Sequence, residues 1–273
     1  MERISQTGSA LILAAVLAVA ASGCAKLKAR DDLNKGVQAF TSARFDQAVA
    51  YFQDAKLQDP TLMNARLYLA QAYASQFIPG APSPENKRNA LQAIQEWKEV
   101  LQIQPENLNA IDGIGAMLFY EGSTPFDLSL MEESKTYHQQ HIKLHPDDPV
   151  PYYWIGQIDY WIAYRANEKL RADYNEKARK HLQQLDPLPL ALREQFIKED
   201  GAVVQEGIDS LNKATSLRQD YGDAMAYLNL LLRQKGDMEA TAAARDDDNK
   251  QADALLEKVK EINQKKMAAQ PSQ

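Results

Sequence analysis

The chain has 273 residues, 45% of them hydrophobic and 25% charged, with a formal net charge of −6. This length allows one or two domains with a sizeable buried core, and the acidic balance gives no basic footprint for nucleic acid. The single cysteine, Cys24, excludes a disulfide within the chain.

Residues 1–23 read as a targeting segment. After Met1-Glu2-Arg3, the run from Ala10 to Ala21 is apolar and 12 residues long. That is too short to span a bilayer and suits the core of a signal peptide. The run ends in Ala21-Ser22-Gly23-Cys24, which resembles the lipobox of bacterial lipoproteins, with Ala21 where leucine is most frequent. The resemblance implies cleavage before Cys24, a diacylglycerol (palmitate-type) thioether on its sulfur, and a tether over residues 24–30. Several acyl chains anchor a protein stably, since each buried methylene adds about 0.8 kcal/mol and one chain alone is marginal. Ala25 stands where an aspartate is the usual signal for inner-membrane retention. The resemblance therefore implies the outer membrane of a Gram-negative bacterium, with the mature domain facing the periplasm. The alternative is a plain secretory signal in which Cys24 is incidental.

From residue 31 to 268 the sequence is self-similar. The segment 36–60 holds two amphipathic helical periods around a turn near Ala43-Arg44, with small residues at Gly36, Ala48 and Ala55, Phe52 between them, and Pro60 at the end. The pattern returns as Leu69-Ala70-Tyr73 with Ala93-Trp97-Pro105, then as Ile114-Gly115-Leu118 with Ser134-His138-Pro146. It continues as Ile155-Gly156 with Gly207-Leu211-Ala214, and ends as Met225-Leu228-Asn229-Leu232 with Ala252-Leu256-Val259. These positions resemble the tetratricopeptide repeat (TPR), a pair of antiparallel helices. The expected fold is all-α, a right-handed TPR-type superhelix (α-solenoid) of about five helix pairs, capped by a final helix over roughly Lys250 to Met267. Only the first copy has the family length, so insertions are expected near 79–89, 121–127 and 165–206. Residues 269–273 read as a disordered tail.

In this family the first helix of each pair lines a concave groove that holds a peptide or a partner's helix. Helical phase places Tyr153, Gln157, Tyr160 and Trp161 on that face, with Phe119 and Tyr120 one copy earlier beside Asn109 and Asp112. Aromatic anchors among polar groups have the composition of an interface hot spot. The competing reading is core packing, with the 165–206 segment folded over the rings. Asp159 occupies an inward slot usually held by tyrosine, and a lysine or arginine from that segment is its expected partner.

His138, His141 and His145 lie on one helical face and invite a metal-binding alternative. The repeat register gives them other duties: His138 takes the bulky slot of Phe52 and Trp97, His141 a close-packing slot, and His145 a helix end. Asp246-Asp247-Asp248 lacks the glycine and distal glutamate of a calcium loop and reads as a solvated loop. No phosphate loop, H-E-x-x-H or nucleophile elbow occurs. The sequence thus predicts a non-enzymatic, cofactor-free adaptor that binds other envelope proteins through its groove and the membrane through acylated Cys24. A ligand- or metal-binding envelope protein using the aromatic cluster or the histidine helix is the alternative.

Overall fold

A computed structural model describes residues 23–179, 181–184 and 186–268. The expected signal peptide, up to residue 22, and the expected tail lie outside the described residues. Helix α1 covers residues 23–41, so the segment 24–30 expected as a tether is helical. It is followed by α2 (Phe45–Gln58), α3 (Met63–Ala74), α4 (Pro84–Ile103), α5 (Leu108–Ser123) and α6 (Leu128–Leu144). The chain continues through α7 (Pro149–Ala178), α8 (Leu190–Leu217), α9 (Gly222–Gly236) and α10 (Ala242–Ala268). No strand occurs among the described residues. Contacts divide the chain into two units, with the boundary between Met117 and Leu118 inside α5.

The helix starts are written locally. Ser83 accepts from the Asn86 amide with Pro84 in the first turn of α4, and Asp148 accepts from the Val150 amide with Pro149 opening α7. Asp127 caps α6 by accepting from the amides of Ser129 and Leu130. Each side chain satisfies donors that the first turn leaves without helical partners.

In the first unit, α2 packs on α3 and α3 on α4. Consecutive helices that pack after so short a turn must run antiparallel. Phe52 is fully buried, and a Cβ built on Gly36 would run into its ring. Phe52 also stacks on Tyr68, centroids 5.5 Å apart. Trp97 fills the space over Gly113 in the same manner. Lys56 bridges Glu96 and Glu99, which also pairs with Arg66, and this ties α2, α3 and α4 together.

In the second unit, α7 packs on α6, α8 and α9, and α9 on α8 and α10. Leu211 of α8 presses on Gly156 of α7, where a Cβ would run into its side chain. The expected insertion at 165–206 forms no separate lid: α7 and α8 simply continue through it as long antiparallel arms joined by residues 179–189. The shorter expected insertions behave similarly. Residues 75–83 form the loop after α3 while 84–89 begin α4, and α5 runs on to Ser123.

A buried network fixes the long arm. Arg171 donates to the carbonyls of Gln183 and Asp186, to Asn167 and to the Asp237 carboxylate, while Asn167 donates to Gln234 and Asp237. A guanidinium with its donors occupied can be buried where a lone one could not. The final helix begins earlier than expected, at Ala242, because the acidic run is helical. Asp248 is buried there and paired with Lys235 at 2.7 Å, so it is not part of a solvated loop.

The glycine contacts give a stability test. Gly156→Ala is expected to lower unfolding free energy by about 1–3 kcal/mol through overpacking against Leu211, despite alanine's better helix propensity. Gly222→Ala, where a Cβ would meet nothing within 4 Å, is expected to be neutral or stabilising. Urea unfolding of the two variants distinguishes them.

Candidate functional site

The aromatic residues of α7 and α9 form one continuous file of rings. Tyr221 lies 5.1 Å from Tyr153, Tyr153 5.9 Å from Tyr227, and Tyr227 5.6 Å from Tyr160. Tyr160 in turn lies 5.7 Å from Tyr164 and 5.5 Å from Trp161. Guanidiniums close both ends: Arg218 sits 4.3 Å over Tyr221, and Arg165 lies 5.8 Å from Trp161 and 5.9 Å from Tyr164. All six rings are half-buried, and Tyr153, Tyr160, Tyr221, Tyr227 and Trp161 pack against the core.

Helical spacing on α7 explains the arrangement. Tyr153, Gln157, Tyr160, Trp161 and Tyr164 recur at three- and four-residue steps, which places them on one face. Tyr221, the N-cap of α9, and Tyr227 within it complete the file. Gln157 Nε2 donates to the Tyr227 hydroxyl at 2.7 Å. Burial raises Tyr153, Tyr160, Tyr221 and Tyr227 above the ordinary phenol range. All four hydroxyls therefore keep their protons at neutral pH.

Four of the eight expected groove residues, Tyr153, Gln157, Tyr160 and Trp161, come together here. Tyr120 is 36% exposed and lies 6.1 Å from Trp154, which touches Tyr153. Phe119 is a correction: at 4% exposure it belongs to a core with Met131, Ile158 and Ile162, because its helix phase points it inward. Exposed Asn109 and half-buried Asp112 belong to the first unit, outside the ring file. Tyr221, Tyr227 and Tyr164 escaped sequence reasoning. The signal was present in YGDAMAY, residues 221–227, but its relation to α7 is set only by packing.

Asp159 is fully buried, and its cation is Lys135 of α6 at 2.7 Å, not a residue of the long insertion. Lys135 also pairs with Glu206 of α8 at 2.8 Å. The second oxygen of Asp159 has no hydrogen-bond partner, and burial, only partly offset by Lys135, raises its pKa to about 7.

The three histidines do not converge. His138 is fully buried and stacked parallel on Trp154, centroids 5.3 Å apart. Burial, followed by the neighbouring His141, lowers its pKa to about 3. His141 Nε2 lies 3.5 Å from the Asp148 carboxylate, and His145 is the exposed C-cap of α6. Among the described residues no group of three His, Cys, Asp or Glu side chains is arranged to hold a metal ion.

The fold, considered by itself, is shared with solved structures. Structures of MamA share the fold: a double mutant titled MamA RS-1 aligns with a TM-score of 0.56 at 15% identity, covering 88% of this chain and 96% of that one. MamA from Desulfovibrio magneticus RS-1 aligns at 0.55 and 16%, covering 90% and 98%. YrrB, titled a TPR protein with an unusual peptide-binding site, aligns at 0.50 and 13%, covering 85% and 84%. No protein-family model and no curated protein matches the sequence. The chain thus has the all-α fold of TPR proteins, as the repeat pattern predicted.

The two buried titratable groups oppose one another. Between pH 4 and 7 the folded chain keeps the Asp159 proton that the unfolded chain releases, so this group's contribution to stability falls as pH rises through that window. Between pH 3 and 6.5 the unfolded chain protonates His138 while the folded chain does not, so this group's contribution falls on acidification. Thermal unfolding of His138→Phe is expected to show stability increasing from pH 7 to pH 5. Asp159→Asn is expected to lose stability from pH 6.5 to pH 4, and parallel profiles in the two variants would contradict these assignments.

Proposed function

We propose that this protein is a lipid-anchored adaptor of the bacterial envelope, which holds a partner protein on the ring file of α7 and α9. The observation that carries the proposal is that file itself: six half-buried rings in unbroken contact, with polar groups among them and a guanidinium at each end. Aromatic and arginine side chains in half-buried settings are the usual anchors of protein interfaces. The TPR fold supports the same reading, and YrrB is described as having a peptide-binding site. The role is that of a scaffold, without catalysis.

The anchor rests on the sequence. Ala21-Ser22-Gly23-Cys24 follows an apolar run of signal-peptide length, and Cys24 is exposed at the start of α1. Acylated there, the chain would be held at the periplasmic face of the outer membrane of a Gram-negative cell, with its helical repeats free to recruit other envelope proteins.

Two experiments test these statements. A photo-crosslinking residue at position 161 is expected to capture a discrete partner in intact cells, and Tyr153→Ala with Tyr160→Ala to reduce capture at least tenfold without loss of helicity. Undiminished capture by the double variant would remove the ring file from the proposal. Metabolic labelling with a palmitate analogue is expected to mark the protein and to vanish in Cys24→Ser; a label that persists would overturn the anchor.

A further inference from the structure

The start of α1 carries a consequence for how an anchored chain would sit. Residues 23–41 form one helix, and Cys24 is exposed on its first turn. Ala29, five residues on, is already fully buried in the domain. Acyl chains on Cys24 would therefore be joined to the folded repeats by helix alone. Arg30 stands six residues beyond Cys24, about 9 Å along the axis at about 1.5 Å per residue. A bilayer that holds those chains must lie against whatever side chains share this edge of the first unit.

Ion pairs define the edge. Lys56, Arg66 and Glu99 meet where α2 ends, α3 begins and α4 ends. Helices α1 and α2 are antiparallel across the turn at 42–44, with Gly36 against Phe52, so α1 begins beside the end of α2. The charges of Lys26 and Arg30 accordingly reach Asp59, just past α2. Three large apolar side chains project from this edge: Leu27 is 73% exposed, Leu57 76% and Ile103 58%. Leu57 and Ile103 stand in the last turns of α2 and α4. Single apolar side chains on a surface are ordinary, but these three gather at the edge that also carries Cys24.

The charged groups sort themselves around them. Residues 23–30 contain Lys26, Lys28 and Arg30, all exposed, and no acid. The next acid, Asp31, pairs with Lys35. Two other carboxylates share the edge: Asp59, which accepts from the Thr61 amide and hydroxyl, and Glu106, past the end of α4. The excess of cations is thus local to the first two turns of α1, beside the lipidation position. Isolated aliphatic tips next to long basic side chains are the composition of a contact with a membrane surface, where apolar groups enter the acyl boundary and cations meet phosphates. No aromatic ring is among the three tips, unlike the anchors of a protein interface.

We infer that this edge of the first unit rests on the bilayer, with Leu27, Leu57 and Ile103 in the boundary between headgroups and acyl chains and Lys26, Lys28 and Arg30 against lipid phosphates. The inference rests on the anchor reading and adds a second contact to it. Such a contact would stand the helices of this unit with their ends on the membrane and fix an orientation that a lipid on a flexible tether leaves free.

The test uses the protein purified from membranes and reconstituted in vesicles of phosphatidylethanolamine and phosphatidylglycerol. An environment-sensitive fluorophore is attached to Leu57→Cys, to Ile103→Cys or to Ile78→Cys, the last at the opposite edge in the loop after α3, where Ile78 is 65% exposed. In the acylated chain each introduced thiol is the only free one, so the wild type is expected to take up no label. Labels at 57 and 103 are expected to shift to the blue and to be quenched by lipid-borne nitroxide at least threefold more than the label at 78. Replacing Lys26, Lys28 and Arg30 together by glutamine is expected to lower quenching at 57 by about half, and unchanged quenching would overturn the phosphate contact. Equal quenching at 57, 103 and 78 would overturn the inference. A blue shift at 57 and 103 without lipid quenching would overturn it too, since protein and not lipid would then cover the edge. The wild type separates the two claims: uptake of label shows a free Cys24 and removes the anchor and the docked edge together, whereas an unlabelled wild type with equal quenching removes the docked edge alone.

Discussion

The structure depends on one repeated contact, a bulky side chain of a pair's second helix pressed on the first helix of its own pair or of the next. Phe52 meets Gly36 on one side and Tyr68 on the other. Trp97 covers Gly113, His138 stacks on Trp154, and Leu211 presses on Gly156 within the core on which Tyr227 packs. In the first three cases the partner on the following helix lies sixteen residues later: 52 and 68, 97 and 113, 138 and 154. The close-packed interior allows little change in volume, so the two members trade size. A large tryptophan faces glycine, and a smaller histidine faces tryptophan. That exchange accounts for an imidazole in a core slot: His138 fills the room Trp154 leaves, as a neutral ring whose nitrogens go without hydrogen bonds.

Departures from the repeat follow the same constraint. Leu256 holds the same slot in the last pair and is 37% exposed, since no helix follows α10 among the described residues to receive it. The long arm of α7 and α8 extends beyond the repeat, and there polar chemistry takes over from the apolar clasp. Arg171 gathers two loop carbonyls, Asn167 and Asp237 into a network that leaves its guanidinium few unmatched donors. Asp159 and Lys135 play a comparable part between α6 and α7. There a single lysine holds two carboxylates, one fully buried and one near water.

The functional surface is a by-product of this packing. Once the clasp fixes α7 against α9, tyrosines that each helix exposes for its own reasons fall into one file. Tyr153, Tyr160, Tyr221 and Tyr227 rest on the core. Gln157, by donating to the Tyr227 oxygen across the two helices, orients that ring within the file.

The sequence by itself determined what depends on local spacing. The helical periods, the small and bulky positions from Gly36 to Leu211, and the assignment of the histidines to structural duties could all be read from residues a few turns apart. Tyr153, Gln157, Tyr160 and Trp161 were legible because one helix carries them all. Only the tertiary structure decided which helices meet. It placed Tyr221 and Tyr227 beside α7, sent Phe119 into the core and gave Asp159 its lysine from α6. Those outcomes depend on the angle and partner of each helix, which are set by the volumes of side chains far apart in the chain and leave no periodic trace within it.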